Sequence, residues 1–375
     1  MPKIKTTHTG SLPRPPDLEE LLDEHERGGA AAGLADRASA AVAEVLRAQL
    51  EIGLDVVNDG EQTKSGYSTY VKDRLTGFEG PPGPPTPRPD NDAYPGFPEI
   101  SARLVSRAVT PQPTCNGPIA LKDKDAVGRD IEALCAAARA SGIGTDRLFM
   151  SAASPGVIAH FFTNNYYPDR ADYLGAIVEA MRDEYRAIVD AGLLLQLDCP
   201  DFAMSRNSVF FGMDRDEFRR VVAQSVEALN AAVADLPPER MRLHVCWGNY
   251  EGPHTSDVPL ADIIDLIVRA RPTGISVEAC NPRHGHEWEV FESFELPSDR
   301  YLMPGVVDST TNFVEHPELV AHRLRQYVRL LGAERVVAGT DCGFATFVGR
   351  SRVAGSVAWA KLRSIVEGAR LASAS

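Results

Sequence analysis

Nowhere in the 375 residues does an apolar run approach the ~18–20 residues that a bilayer-spanning helix requires, so no membrane anchor is expected. The opening run Met1-Pro2-Lys3-Ile4-Lys5 lacks the apolar stretch of a secretion signal, which points to the cytoplasm. Basic residues are in the minority, 39 Lys and Arg against 52 Asp and Glu. The resulting charge of −13 repels phosphate backbones and anionic lipid, so neither nucleic acid nor membrane is expected as a partner. Closely spaced cysteines are missing too: the six Cys stand far apart at 115, 135, 199, 246, 280 and 342. Such scatter is not a disulfide framework, and in a reduced compartment it leaves buried small side chains or metal ligands. What remains is a 43% apolar chain long enough to bury a large core.

Short β-branched runs alternate with longer amphipathic ones. Eight candidate strands are Ile4–Gly10, Leu54–Asp59, Arg147–Ala152, Leu193–Asp198, Met241–Cys246, Gly274–Glu278, Tyr301–Val307 and Arg335–Thr340. Helical spacing of three and four runs through Asp169–Asp190, where Tyr173, Ile177, Met181, Tyr185 and Ile188 recur. It also runs through Pro317–Leu331 and the Ala-rich Asp36–Ile52. Eight strands alternating with helices predict an α/β chain folded as one (β/α)8 TIM barrel over residues 1–375. A doubly wound sheet is the alternative, although no dinucleotide-binding fingerprint follows the first strand.

Gly80–Pro98 breaks the alternation. Eight Pro in that stretch predict an extended or mobile segment without helix, either a plain solvent loop or a lid over the barrel mouth. Residues 99–146 then form an expected insertion between strands two and three.

Barrel enzymes carry their reactive groups at the C-terminal ends of strands. Those ends hold Glu61, Asp198, His244, Cys246, Glu278 and Cys342. His244 and Cys246 alternate on one strand and therefore face one side. One imidazole, two thiols and a carboxylate from separate strand ends form a tetrahedral donor set that suits zinc. A lone His-x-Cys is ordinarily core filling, and it is the meeting of four such groups at strand ends that points to a site. Cys280, two residues past Glu278, is the residue most easily mistaken for a ligand.

The runs Thr6-Thr7-His8-Thr9-Gly10-Ser11, Asn58-Asp59-Gly60-Glu61, Leu195-Gln196-Leu197-Asp198, His244-Val245-Cys246, Ser276-Val277-Glu278, Pro304-Gly305-Val306-Val307-Asp308 and Thr340-Asp341-Cys342-Gly343 together carry a resemblance. In this order they resemble the catalytic barrel of the cobalamin-independent methionine synthases over nearly the whole chain. The resemblance implies Zn2+ bound by His244, Cys246, Glu278 and Cys342. It implies that Ser11, Glu61 and Asp198 hold the amino-acid end of a homocysteine-like thiol, activated on zinc for methyl transfer. Small-molecule thiol and alkyl donor are the expected partners, and a methyl-carrier protein is an admissible source of the methyl group.

The chain departs from that family at three points. It has room for one barrel, where the full-length synthases have two. Thr310 stands in the place of the family's proton-donating His, so no catalytic acid is assigned and a folate donor is put in doubt. No Trp lies where the family stacks its folate, leaving Phe161, Phe162, Tyr166 and Tyr167 as stacking candidates. Epoxyalkane–coenzyme M transferases, single-barrel relatives of the same zinc type, offer thiolate addition to an epoxide as an alternative. Arg283, His284 and His286 are candidates for an anionic tail of either substrate, or simply a solvated loop, and His254 is equally open. A metal-binding barrel without thiol-transfer activity, of the kind related to uroporphyrinogen decarboxylases, is the reading from another class.

Overall fold

The computed structural model describes residues 2–103 and 111–374; Met1 and part of the expected insertion, residues 104–110, lie outside the described residues. Among the described residues there are seven strands: β1 (Lys5–Thr6), β2 (Phe149–Ala153), β3 (Leu194–Asp198), β4 (Met241–Val245), β5 (Gly274–Val277), β6 (Tyr301–Val307) and β7 (Val337–Thr340). They form one parallel sheet in the order β1-β7-β6-β5-β4-β3-β2. The first strand lies beside the last and the other neighbours are consecutive, so the sheet curls on itself. A doubly wound sheet, whose order reverses near its centre, is thereby excluded.

Parallel neighbours need crossovers, and amphipathic helices supply them. The expected helix 317–331 is found as Pro317–Leu331, and that at 36–52 as Leu34–Glu51. The long helix is Arg170–Asp190; Asp169 caps it, its side chain accepting from Asp172 N–H at 2.9 Å. Tyr173, Ile177, Met181, Tyr185 and Ile188 are its buried face, as the spacing requires.

The expected strand at Leu54–Asp59 is not one. Val57 makes an isolated parallel bridge to Leu148. Its N–H donates to Arg147 O at 2.9 Å, and its carbonyl accepts from Phe149 N–H at 3.0 Å. On the other side Asp55 and Val56 N–H both donate to Thr6 O at 3.1 Å. The segment thus lies between β1 and β2 but has no continuous ladder. Asp, Asn and Gly fit a pleated ladder poorly, and this stretch holds Asp55, Asn58, Asp59 and Gly60. Side chains complete the seam. Thr6 donates through N–H and Oγ1 to Asp55 Oδ2, both at 3.0 Å. Arg147 donates through Nε and Nη2 to the carbonyls of Asp55 and Leu54, both at 2.9 Å.

Inside the curl the strands align in rows. Ser151, Gln196 and Arg242 share one, and Asp198, His244 and Ser276 share the next. Arg242 is buried, its Nε donating to Gln196 Oε1 at 2.8 Å and its Nη2 to His8 O at 3.0 Å, with its guanidinium over the Phe149 ring. Burial lowers even this arginine, to about 10.

The Pro-rich segment is not free of helix: Pro89–Ala93 forms a turn. Pro89 starts it where no N–H is needed, and Asp90 and Asp92 sit in the first turn, where negative charge is favoured. Among the described residues, no helix is long and apolar enough to cross a membrane.

Replacing Asp55 with Ala removes two charge-assisted acceptors from the seam. We expect this to lower unfolding free energy by about 2 kcal/mol in urea titration. Lys3, which pairs with Asp55 but is 72% exposed, should cost less than about 1 kcal/mol on truncation.

Candidate metal and thiol site

β4 carries His244, and the chain leaves that strand at Cys246; Cys342 follows β7. The two Sγ atoms lie 3.8 Å apart, and with His244 the three ligand atoms lie within 4.8 Å of one another. Strand register explains the imidazole's pose. His244 faces Ser276 on β5, and its Nδ1 lies 3.0 Å from Ser276 Oγ. Nε2 is buried with no hydrogen-bond partner. A ring fixed at one nitrogen and bare at the other is how a metal-ligating His is held. Burial, with the Arg242 charge, pushes His244 down to about 3, so the ring is neutral and its lone pair is available.

The thiols are pushed the other way. Cys246 is raised well above its usual range by the contact with Cys342 and by burial. For Cys342 the contact with Cys246 pulls down, but burial and the Glu278 charge outweigh it. Crowded buried donors that resist carrying negative charge are what a bound divalent cation relieves.

Glu278 stands beside this set and outside the 4.8 Å group. Its Oε1 accepts from Trp247 N–H and its Oε2 from Asn281 Nδ2, both at 2.8 Å. Burial raises its pKa well above the usual range, and Cys246 adds to the shift. Each carboxylate oxygen keeps a second lone pair, so these bonds orient the group without consuming it. Cys280 is not a ligand here: its Sγ donates to Asp341 Oδ2 at 3.2 Å. Asp341 also accepts from the N–H groups of Ala279, Cys280 and Asn281 at 2.8, 3.0 and 2.9 Å. One carboxylate thereby ties the loop after Glu278 to the loop that presents Cys342.

Asn58-Asp59-Gly60-Glu61 explains Glu61. Asn58 Oδ1 accepts from Gly60 N–H at 2.7 Å and Asp59 Oδ1 from Glu61 N–H at 3.0 Å, two consecutive Asx turns. They hold Glu61 at φ 56°, a left-handed conformation costing about 1–2 kcal/mol for an L-residue. Arg14 braces the loop, donating to the carbonyls of Glu61 and Lys64 at 3.1 and 2.7 Å. Glu61 Oε1 accepts from Ser151 Oγ at 2.7 Å, while Oε2 is buried without a partner. A Cβ on Gly10 would overlap Oε1, so only glycine fits there. Asp198 Oδ1 accepts from Gln196 Nε2 at 2.9 Å, and burial, then the Glu61 charge, raises Asp198 well above the carboxylate range. Ser11 Oγ accepts from Ala345 N–H at 3.3 Å.

A cavity of about 230 Å3 brings together Ser11, Glu61, Asp198, His244, Cys246 and Cys342. Glu278 and Thr310 do not line it. The Thr310 hydroxyl donates to Asp308 Oδ1 at 2.7 Å and caps its own loop. Of the four stacking candidates only Phe161 reaches the cavity, where it forms an aromatic wall with Tyr67 and Phe347. Phe162 packs on Phe78, Tyr167 on Tyr173, and Tyr166 is exposed.

Arg283, His284 and His286 lie away from the cavity. His284 is buried between Asp257 Oδ2 at 3.0 Å and Glu287 Oε2 at 2.9 Å, and His254 Nδ1 joins Asp257 Oδ2 at 2.8 Å. The mouth is lined instead by residues that no periodicity marks: Arg88 and Asp90 of the Pro-rich segment, Tyr250, Arg350 and Arg352. Asp90 is buried, accepting from the Tyr250 hydroxyl, His254 N–H (2.8 Å) and Thr255 Oγ1 (3.3 Å). Ser151 and Gln196 were findable, since strand alternation puts them on the face of Asp198 and His244.

Burial alone lowers His284, but its bonds to Asp257 and Glu287 outweigh that and raise it from 6.5 to about 10. A folded-state pKa above the free value stabilises fully below about 6.5, and the contribution is lost as pH climbs towards 10. Unfolding free energy should therefore fall across that window, and His284→Gln should flatten this part of the profile. An unchanged slope in the variant would show that the cluster contributes nothing.

The sequence matches the family described as cobalamin-independent synthase, catalytic domain, over residues 158–370. A methionine synthase of Saccharolobus solfataricus is 25% identical over 377 aligned positions, spanning 99% of this chain and 95% of the relative. Among solved structures, a B12-independent methionine synthase from Shewanella sp. W3-18-1, in complex with selenomethionine, superposes with a TM-score of 0.73 at 21% identity, over 99% of this chain and 98% of that one. One described as a putative vitamin-B12 independent methionine synthase from Listeria monocytogenes gives 0.65 at 18% identity, over 98% of each chain. These structures share the curled α/β fold, and the sequence match goes further: the chain belongs to the cobalamin-independent synthase catalytic-domain family.

Proposed function

We propose that this protein is a zinc-dependent methyltransferase that moves a methyl group onto the thiol of a homocysteine-like amino acid. The observation that carries the reading is a pair of orphaned buried atoms in one cavity, His244 Nε2 and Glu61 Oε2. The first wants a cation with soft neighbours, and the second wants a hydrogen-bond donor. A nitrogen, two sulfurs and an oriented carboxylate fit zinc, which His244, Cys246, Cys342 and Glu278 would hold. Zinc there would supply one thing, a lowered pKa for the acceptor thiol.

The chain's own groups do the rest. Asp198 and Glu61 repel each other in a buried setting, and an incoming ammonium offsets both charges. Ser11, at the edge of the same cavity, suits the substrate carboxylate. The aromatic wall keeps water from the sulfur and steers the donor's methyl towards it. The second imidazole of the cavity, His160, is pushed down to about 4 by burial and by Arg170, so it is neutral and holds no proton to give at pH 7. With Thr310 engaged by Asp308, the site favours donors whose leaving group departs without a proton.

In this reading the chain is a single TIM barrel in which 54–59 supplies the eighth stave and 99–146 is an insertion. The Pro-rich 80–98 covers the mouth as a mobile lid latched through Asp90. A net charge of −13 is in keeping with a cytoplasmic enzyme of small molecules.

Cys342→Ser should lose most of its zinc on dialysis, because a hydroxyl stays protonated and ligates weakly; full zinc retention, by metal analysis, would sink the ligand assignment. Glu61→Gln should keep zinc yet weaken homocysteine use by roughly 30-fold or more, the effect of about 2–4 kcal/mol for a buried charge left short of its partner. Intact homocysteine use in that variant would put thiolate addition to an epoxide, with an acceptor that has no amine, ahead of methyl transfer.

A further inference from the structure

A second group of metal-type side chains lies outside the thiol cavity. His254, Asp257 and His284 bring three donor atoms within 4.8 Å of one another, and none of the three residues lines that cavity. Both rings aim at one oxygen: His254 Nδ1 lies 2.8 Å and His284 Nε2 3.0 Å from Asp257 Oδ2. The outer nitrogens are engaged as well. His254 Nε2 lies 2.9 Å from the Tyr250 carbonyl oxygen, and His284 Nδ1 lies 2.9 Å from Glu287 Oε2. A carbonyl and a carboxylate only accept, so each outer nitrogen carries its ring's proton. In a neutral imidazole the inner nitrogen is then a bare lone pair, and here two lone pairs and a carboxylate oxygen converge. The side chains of His254, Asp257 and His284 are 10%, 1% and 3% exposed, so water does not separate them. Three buried acceptors this close require positive charge between them, either an extra proton on each ring or one divalent ion.

The surroundings suit the ion. Each donor is oriented from behind as metal ligands are: Tyr250 and Glu287 hold the rings, and Asn207 Nδ2 donates to the other oxygen of Asp257. Glu287 is itself fixed by Leu260 N–H at 2.7 Å. A dication with two neutral rings and the carboxylates of Asp257 and Glu287 leaves no net charge. Asp257 also lines a separate cavity of about 120 Å3, through which an ion and a water ligand reach it. We propose that His254, Asp257 and His284 form a second metal site, independent of the thiol site, that takes Zn2+ through two imidazoles, a carboxylate and water. Ligand distances of ~2.0–2.1 Å at a tetrahedral ion require the rings to part from Oδ2 by only about 0.5 Å. Nitrogen and oxygen donors without sulfur admit Co2+ in the same place. The site's place in the fold gives its role. His254 and Asp257 stand on the loop after β4, where the Tyr250 hydroxyl, His254 N–H and Thr255 Oγ1 donate to Asp90 of the Pro-rich segment. His284 stands on the loop after β5, its ring packed on Trp247 with centroids 4.5 Å apart. The ion joins the two loops and fixes the seat of Asp90, whichever reaction the thiol site runs.

The test counts metal in the full chain after equilibration with Co2+. Cys246→Ser/Cys342→Ser removes both thiolates of the first site and should still hold one cobalt per chain, without thiolate-to-cobalt charge-transfer absorption. X-ray absorption at the cobalt edge should then show nitrogen and oxygen neighbours, two imidazoles among them, and no sulfur. Adding His254→Gln and His284→Gln should abolish that binding. A Ser variant that holds no cobalt, or cobalt that survives the added Gln changes, overturns the proposal. Wild type gives a reading that does not depend on the Ser variant folding. It should hold two ions per chain, falling to one in His254→Gln, which keeps the thiolate band of the first site. One ion carrying that band in wild type, or a count that His254→Gln leaves unchanged or takes to zero, overturns the proposal. One ion in wild type without the band, lost in His254→Gln, supports the second site and counts against the thiol site instead.

Discussion

The constraint on which the rest of this structure turns is negative charge held away from water. Glu61, Asp198, Glu278, Cys246 and Cys342 are all buried at one end of a curled sheet, with Arg242 as the cation in the rows beneath them. In a low-dielectric interior such groups either take up protons or acquire cations. The raised pKa values of Asp198, Glu278 and both thiols express the first outcome. Binding a metal ion and an ammonium expresses the second. The same crowding that strains the empty site therefore sets what it takes up.

Holding that crowd in place falls to groups that never meet a ligand. Arg242 fixes Gln196, and Gln196 fixes Asp198; Ser276 fixes His244; Asp341 couples the loops of Glu278 and Cys342. Each support lies on a strand row or at a strand end, where the backbone is already fixed by its neighbours. A displaced side chain in this lattice would leave a buried polar atom bare at a cost of about 1–3 kcal/mol, which keeps the site in one arrangement.

Much of this was legible in the sequence, for physical reasons that differ by element. Seven of the eight expected strands, the first of them only as Lys5–Thr6, and the helices at 170–190 and 317–331 announced themselves because their periodicity is what packing demands. His244, Cys246 and Cys342, which the structure brings together, could be grouped beforehand because strand ends are readable and pleat alternation is strict. Glu278, expected with them, lies outside their group, held by Trp247 and Asn281 through loops that carry no period. The stave at 54–59 misled because its apolar residues look like a strand, while its Asp, Asn and Gly favour turns. The helical turn at Pro89–Ala93 was hidden by the prolines around it, although proline in first position begins helices well. Arg88, Arg350 and Arg352 converge only in three dimensions.

The seam at residues 54–59 differs from the other joints of the sheet in one further respect. Elsewhere neighbouring strands are joined by backbone groups, which every non-proline residue carries, so the joint survives a change of side chain. Here backbone bonds are only part of the joint, and Thr6, Asp55 and Arg147 add side-chain bonds to them. Divergence among descendants of this chain is therefore freer along the regular staves than at those three positions, where a change of side chain removes part of the joint.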